Sequence, residues 1–176
     1  GYANNTGIKY AKTKYAIYVD LDAEFTIEKT LEIYKIAKDL ENWSILIPNS
    51  NKKFIKSDKL KPIDNCEASV FFLNINKVKK YPMFDEKIFF YFEELDYFSR
   101  LNKTPDKVLL IPNISFCHSQ GSSVDKKIVK GVSNLQQWHY LWSMYYVNKK
   151  VFNTSHALKI VAPFILKDLI KLILYI

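Results

Sequence analysis

Three groups of residues carry side chains whose types and spacing could do chemistry. Asp20-Leu21-Asp22 sets two carboxylates around one residue, directly after the β-branched and aromatic run Tyr15–Val19. At a strand end both can face one pocket as hard oxygen ligands for Mg²⁺ or Mn²⁺, a cation that takes diphosphate oxygens into its remaining positions. The same spacing occurs in plain surface turns, so on its own it leaves both readings open. Glu93-Glu94-Leu95-Asp96 is the second group. Acids in a first helical turn complement the helix dipole, at about 0.3–1 kcal/mol each. These follow Phe89-Phe90-Tyr91-Phe92, a run expected to be buried or to line a cleft. A carboxylate emerging from such a run is partly desolvated, its pKa is raised, and it is suited to take a proton from a hydroxyl. The third is His118, either a ligand or a satisfied structural histidine. Strand alternation sends the neighbouring Cys117 to the opposite face, so the two do not make a thiolate metal site, and Cys117 is expected in the core.

These groups need elements to position them. Tyr15–Val19 reads as a buried strand delivering Asp20 and Asp22 at its carboxyl end, where ligands bind in open α/β sheets. Thr26 reads as the N-cap of a helix through about Leu40, with Leu31, Tyr34 and Ile36 among its apolar positions and Lys29, Lys35 and Lys38 solvated. Ser44–Ile47 and Ser69–Leu73 are further strands, and residues 51–65 form a basic surface excursion with one short edge strand. Ile75–Lys80 is a short helix ending before Pro82. Val108–Ile111 and Ile114–Cys117 read as two strands broken by Pro112-Asn113, the second delivering His118 into the Gly/Ser loop of residues 119–123, and a Lys-rich stretch continues to about Ser133. A helix dense in aromatics spans Leu135 to about Phe152, and a last one starts near Pro163. Strands alternating with helices indicate an α/β fold.

The chain has 176 residues, of which 48% are hydrophobic and 25% charged, which is the composition of one globular domain rather than of a disordered chain. A formal charge of +8 would attract a phosphate-bearing ligand, an anionic membrane surface or nucleic acid. The lysines are dispersed and no motif for groove or single-strand recognition occurs, so a nucleic-acid partner is not expected. Two cysteines, Cys66 and Cys117, far apart and outside any CxxC spacing, exclude a disulfide scaffold and a structural zinc site, and a reducing, cytoplasmic setting is expected. The opening Gly1–Gly7 reads as loop chemistry leading into a helix, without the apolar core of a secretory signal, and as an interior cut of a longer domain.

In order and spacing these segments resemble glycosyltransferase family 2, in particular bacterial rhamnosyltransferase-like members that build cell-surface polysaccharides. Asn4-Asn5-Thr6-Gly7 is similar to the family's Asn-x-Gly segment near the nucleotide, and Tyr15–Asp22 to the strand ending in its Asp-x-Asp signature. Phe84 to Arg100 is similar to its FDExFFxYxEDxDxxxR stretch, and Ile111 to Ser123 to its VPxxxxxHxxGxS stretch. The resemblance implies a GT-A-like α/β fold, a mixed sheet flanked by helices, with residues 1–132 as the metal-binding and catalytic part and 133–176 as a C-terminal helical extension. The family's first nucleotide-binding βαβ unit is missing from the sequence, so the chain alone is expected to bind a sugar nucleotide poorly and to be inactive. The implied activity is inverting transfer of a sugar from a nucleotide-sugar donor to a cell-surface glycan or lipid-linked acceptor, and a catalytically silent module binding a glycan or membrane partner is the alternative. Asp22 with Asp20 would hold the Mn²⁺ or Mg²⁺ that bridges the donor diphosphate, and His118 would be a further ligand or diphosphate contact. Asn5 and Gly7 would lie beside the nucleotide, with Asp20 also on the cofactor side. Glu94 would be the general base, and Glu93 and Asp96 would orient the acceptor or hold the loop. The sequence departs from the family at Pro82-Met83 (Gly-Gly in many relatives), at Phe92 (often Gly) and at Glu94 (usually Asp).

Residues 157–176 are strongly apolar, but Lys159, Lys167, Asp168 and Lys171 interrupt them well before the roughly 20 uncharged residues of a spanning helix. Peripheral contact with the inner face of the cytoplasmic membrane and docking on a missing half of the domain are both compatible with that pattern.

Overall fold

The computed structural model describes residues 1–50, 59–64, 69–118 and 129–174, and the side chains at 129–134, 171, 172 and 174 lie outside the description. The strands are β1 (Tyr15–Val19), β2 (Ala23–Glu24), β3 (Trp43–Ser50), β4 (Lys61–Pro62), β5 (Val70–Asn74) and β6 (Lys107–His118). The helices are α1 (Tyr2–Tyr10), α2 (Ile27–Lys38), α3 (Ile75–Val78), α4 (Glu93–Leu101), α5 (Val129–Val151) and α6 (Thr154–Leu174). The sheet is mixed and flanked by helices, in the order β1-β5-β3-β6-β2, with β4 pairing β6. Since β1 and β3 are both antiparallel to β5 and β3 is parallel to β6, the strands β1, β3 and β6 run the same way and end at one edge of the sheet.

Near-continuous apolar runs make β3 and β5 the central strands, buried on both faces. One face carries Ile45, Ile47, Phe71, Leu73 and Val108 against Ile8 of α1 and Tyr97, Phe98 and Leu101 of α4. The other carries Trp43, Leu46 and Phe72 against Ile33 and Ala37 of α2. Trp43 falls on the face opposite Ile45 because the register with β6 slips by one residue between them. The extra residue, Ser44, turns its hydroxyl to the carbonyls of Asp106 and Lys107 at 3.1 and 3.2 Å.

Several elements differ from the sequence-based expectation, each for a physical reason. The helix expected after Gly7 already begins at Tyr2, so residues 2–7 are helix rather than loop. The turn is anchored from outside, because the Asn5 amide donates to the Phe84 carbonyl at 2.9 Å and its oxygen accepts from the Phe84 N–H at 3.0 Å. The two strands around Pro112-Asn113 are one strand, β6. Its ladder passes from Pro48↔Ile111 to Asn49↔Ser115, looping Pro112, Asn113 and Ile114 out so that the proline costs no ladder bond. Thr26 does cap α2, accepting from the Lys29 N–H at 3.4 Å, but the buried stripe is Ile33 and Ala37, with Leu31 and Tyr34 exposed. Lys29 reaches the Ser115 carbonyl at 2.6 Å instead of being fully solvated.

The last helix begins at Thr154, and Pro163 lies inside it on an exposed stretch where water can serve the carbonyl left without its donor. The boundary expected at 132/133 falls inside α5. Short β4 lies within the expected excursion, of which residues 51–58 and 65 are outside the described residues, as are Cys66 and residues 119–128 of the Gly/Ser and Lys-rich stretch. Among the described residues no helix is long and apolar enough to cross a membrane.

Candidate functional site

The chain leaves β1 at Val19, crosses the sheet edge through Asp20-Leu21-Asp22, and joins β6 from the far side as β2. Two backbone bonds hold the crossing, Asp20 N–H to the Ser69 carbonyl at 2.9 Å and Ala23 N–H to the Asp20 carbonyl at 3.0 Å. Because Ala23 pairs with His118, the preceding Asp22 lands beside the imidazole, its Oδ1 3.0 Å from Nε2. Ser69 Oγ contacts the other ring nitrogen, Nδ1, at 3.1 Å. Asp20, Asp22 and His118 each offer a ligand atom within 4.8 Å of the others. The cluster sits at the carboxyl ends of β1 and β6, at a point where the connection switches across the sheet.

The donor set fits a divalent cation. Two carboxylates supply hard oxygens and one imidazole a borderline nitrogen, a mixture suited to Mn²⁺ and, less well, to Mg²⁺. Ser69 contributes the outer hydrogen bond that sets the histidine tautomer: with Nε2 given to a cation, Nδ1 carries the proton and donates to Ser69.

Two participants were not singled out from the sequence. Tyr18 donates its hydroxyl to Asp20 Oδ1, and burial, reinforced by that bond and by the Asp20 charge, pushes the phenol well above its ordinary range. Alternation along β1 was the available signal, since residues 18 and 20 share a face. Ser69 had none, because what brings it to His118 is the order of the strands in the sheet.

Glu93 and Glu94 lie in the first turn of α4. Burial chiefly, then the Glu93 charge and that of Asp20, push the Glu94 carboxyl up to about 8. Glu93 is raised by burial and, more weakly, by Asp20, and its Oε2 is buried without a hydrogen-bond partner. The shared influence of Asp20 ties these carboxyls electrostatically to the crossing turn.

The backbone entering α4 is unusual. Tyr91 and Phe92 have φ of 66° and 65°, left-handed conformations that disfavour aromatic side chains and favour glycine. Tyr91 and Phe92 are held there by Tyr140 of α5, at ring distances of 5.4 and 5.2 Å. Of the run Phe89–Phe92, expected to be buried or to line a cleft, Phe89, Phe90 and Tyr91 are exposed and Phe92 is half-buried.

Asp96 lies apart from this group. It is fully buried, Oδ2 receives Arg100 Nε and Nη2 at 3.1 and 2.9 Å, and Oδ1 lies 2.7 Å from Lys150 Nζ. Arg100 also donates to the Pro82 and Met83 carbonyls, both at 2.7 Å. With both oxygens engaged, Asp96 fastens α4 to α5 and to the preceding loop. Asn5 likewise spends its amide on Phe84 and on Glu86 Oε1, the latter at 2.9 Å. Gly7 borders an apolar cleft of about 250 Å³ between α1 and β1, whose wall includes Ala3, Ile17 and Tyr18. Cys117 is exposed rather than core, because β6 beyond its bulge turns Phe116 inward and leaves Cys117 facing outward.

No protein-family model matches the chain, and neither a curated protein nor a solved structure shows significant similarity to it.

Proposed function

We propose that this chain is the metal-binding and catalytic part of an inverting, nucleotide-sugar-dependent glycosyltransferase of GT-A-like fold, moving a sugar to a cell-surface glycan or lipid-linked acceptor. The observation that carries the reading is the meeting of Asp20, Asp22 and His118 within 4.8 Å at the carboxyl ends of β1 and β6, with Glu94 near enough to Asp20 to feel its charge. The four motifs similar to family 2 support it in the same order along the chain.

In this reading Asp20, Asp22 and His118 would hold Mn²⁺ or Mg²⁺, which when bound would supply positive charge for the departing nucleoside diphosphate. Glu94 accepts the proton of the acceptor hydroxyl as the hydroxyl oxygen bonds to the anomeric carbon and the bond to the diphosphate oxygen breaks on the opposite face. A single displacement inverts the anomeric configuration. An elevated pKa makes Glu94 a stronger base once ionised. Tyr18 fixes the rotamer of Asp20, and Ser69 that of His118.

Calorimetric titration with Mn²⁺, alone and with a panel of nucleoside diphosphates, tests the reading. One Mn²⁺ per chain, lost in Asp22→Ala, is the expected result, with nucleoside diphosphates bound only weakly by this chain alone. A folded chain that binds no metal would instead be the silent module that binds a glycan or membrane partner.

A further inference from the structure

The sheet has an open edge at β1. It ends the strand order, and among the described strands only β5 pairs with it. Two bonds fix the phase of that pairing, Ile75 N–H to the Lys14 carbonyl and Asp20 N–H to the Ser69 carbonyl, each 2.9 Å. In the antiparallel register of Tyr15 with Asn74 and Val19 with Val70, Lys14, Ala16, Tyr18 and Asp20 therefore turn their backbone groups toward β5. Tyr15, Ile17 and Val19 turn theirs outward, where the Tyr15 carbonyl receives the exposed Thr13 hydroxyl at 2.6 Å. Such an edge is a template for one more strand, and proteins block it with charge, proline or a bulge. Tyr15–Val19 has none of the three.

Both faces beside that edge are apolar and unfilled. On the α1 face the cleft of about 250 Å³ runs along Ala16 and Tyr18. On the α2 face a second apolar cleft, of about 390 Å³, is bounded by Ile17, Leu31 and Tyr34, with Leu31 54% and Tyr34 45% exposed. A strand that fits must carry apolar side chains on both faces, which an ordinary half-buried strand does not. β1 itself does, with Ala16 and Tyr18 on one face and Tyr15, Ile17 and Val19 on the other.

We infer that two copies of this chain pair antiparallel through β1, about a two-fold axis at Ile17, joining their sheets into one. A two-fold axis presents the same edge on both copies and closes the assembly at two. With Ile17 opposite itself, Tyr15 faces Val19 of the other copy, and the outward groups of all three residues form about six backbone hydrogen bonds. Charge selects the same register. Lys14 of one copy stands directly opposite Asp20 of the other, in a pair without backbone bonds, where side chains approach most closely and opposite charges stabilise. Centring on Tyr15 or on Val19 shortens the ladder and sets Lys14 against Ala16 or Asp20 against Tyr18. The pairing does not depend on the reaction proposed above and is tested without metal.

The test is sedimentation equilibrium of the metal-free chain in about 0.15 M salt, where the opposing net charge of +8 is screened beyond about 8 Å. The expected result is a reversible monomer–dimer equilibrium, the mass doubling from 20.7 kDa. Amide exchange at Tyr15, Ile17 and Val19 should slow as the dimer fills, while Ala16, Tyr18 and Asp20 are protected at every concentration. Ile17→Lys sets two lysines against each other and should weaken the dimer by more than about tenfold with unchanged circular dichroism. Lys14→Glu should weaken it by about tenfold, and adding Asp20→Lys should restore it. A monomer at every concentration would leave the edge to a strand of another protein and overturn the inference. So would a dimer that Ile17→Lys leaves intact, free exchange at Tyr15, Ile17 and Val19 in the dimer, or a charge-swapped variant of unchanged circular dichroism that stays monomeric.

Discussion

His118 Nε2 lies 3.0 Å from Asp22 Oδ1 although 96 residues separate them. The contact is set by backbone pairing, Ala23 with His118 and Glu24 with Cys117, so it does not depend on the side chains finding each other. Substitutions at the cluster should therefore change ligand binding more than folding. Asp22→Ala and His118→Ala should each weaken Mn²⁺ binding by at least about tenfold, and Ser69→Ala, acting through the imidazole, by about tenfold. Calorimetry on variants with wild-type melting curves checks this, and an unchanged Mn²⁺ affinity in Asp22→Ala would refute the cluster as a cation site.

The Glu94 carboxyl, pushed up to about 8 from an ordinary 4.5, should leave a signature in stability against pH. Between those two values the folded chain binds more protons at this group than the unfolded chain does. Its contribution is therefore fully present below the lower value and is lost as pH rises through the higher one. Glu94→Gln should raise the melting temperature relative to wild type by about 3 °C or more at pH 9 and by much less at pH 4. Scanning calorimetry across that range measures the difference, and a constant offset would mean the carboxyl titrates normally.

Left-handed backbone at Phe92 predicts an inverted order of substitutions. Phe92→Gly relieves the conformation and Phe92→Ala does not, while both lose the ring contact with Tyr140. The alanine variant should be the less stable by about 1 kcal/mol, the reverse of the usual preference in ordered structure. Urea denaturation of the pair decides it.

Asp96 should behave as a structural group. Removing it takes away the carboxylate partner of Arg100, which keeps only the Pro82 and Met83 carbonyls, and leaves Lys150 with Asp85 at 2.8 Å as its remaining ion-pair partner. Asp96→Ala should cost about 3 kcal/mol of stability, the scale of a broken buried ion pair. Arg100→Ala should cost a comparable amount while leaving Mn²⁺ binding to the folded fraction unchanged. Loss of metal affinity at wild-type stability would place Asp96 in the site instead.

The helix cap at Thr26, the apolar runs of β3 and β5, and the break at Pro112-Asn113 were all legible, because each is written in neighbouring residues, whereas Tyr15–Val19, expected as a buried strand, is an edge strand with Ile17 and Val19 exposed because only β5 pairs with it. What the break does was not legible. A proline-asparagine pair reads as a strand end, and the parallel neighbour β3 turned it into a bulge inside one long strand. The first turns of the opening helix were illegible for a similar reason, since their anchor, the Phe84 backbone, is 79 residues away from Asn5.

By itself the sequence determined which residues could do the chemistry, Asp20 and Asp22 around one leucine, His118 after an apolar strand, and Glu93 and Glu94 after an aromatic run, because side-chain type and alternation are local properties. Only the tertiary structure decided which of them meet. Sheet order carried the Asp turn across to β6 and brought Ser69 to the imidazole, and helix packing removed Asp96 into an ion-pair network while leaving the outer side of α6 open. Register and burial are set by contacts distant in sequence, and no local pattern encodes them.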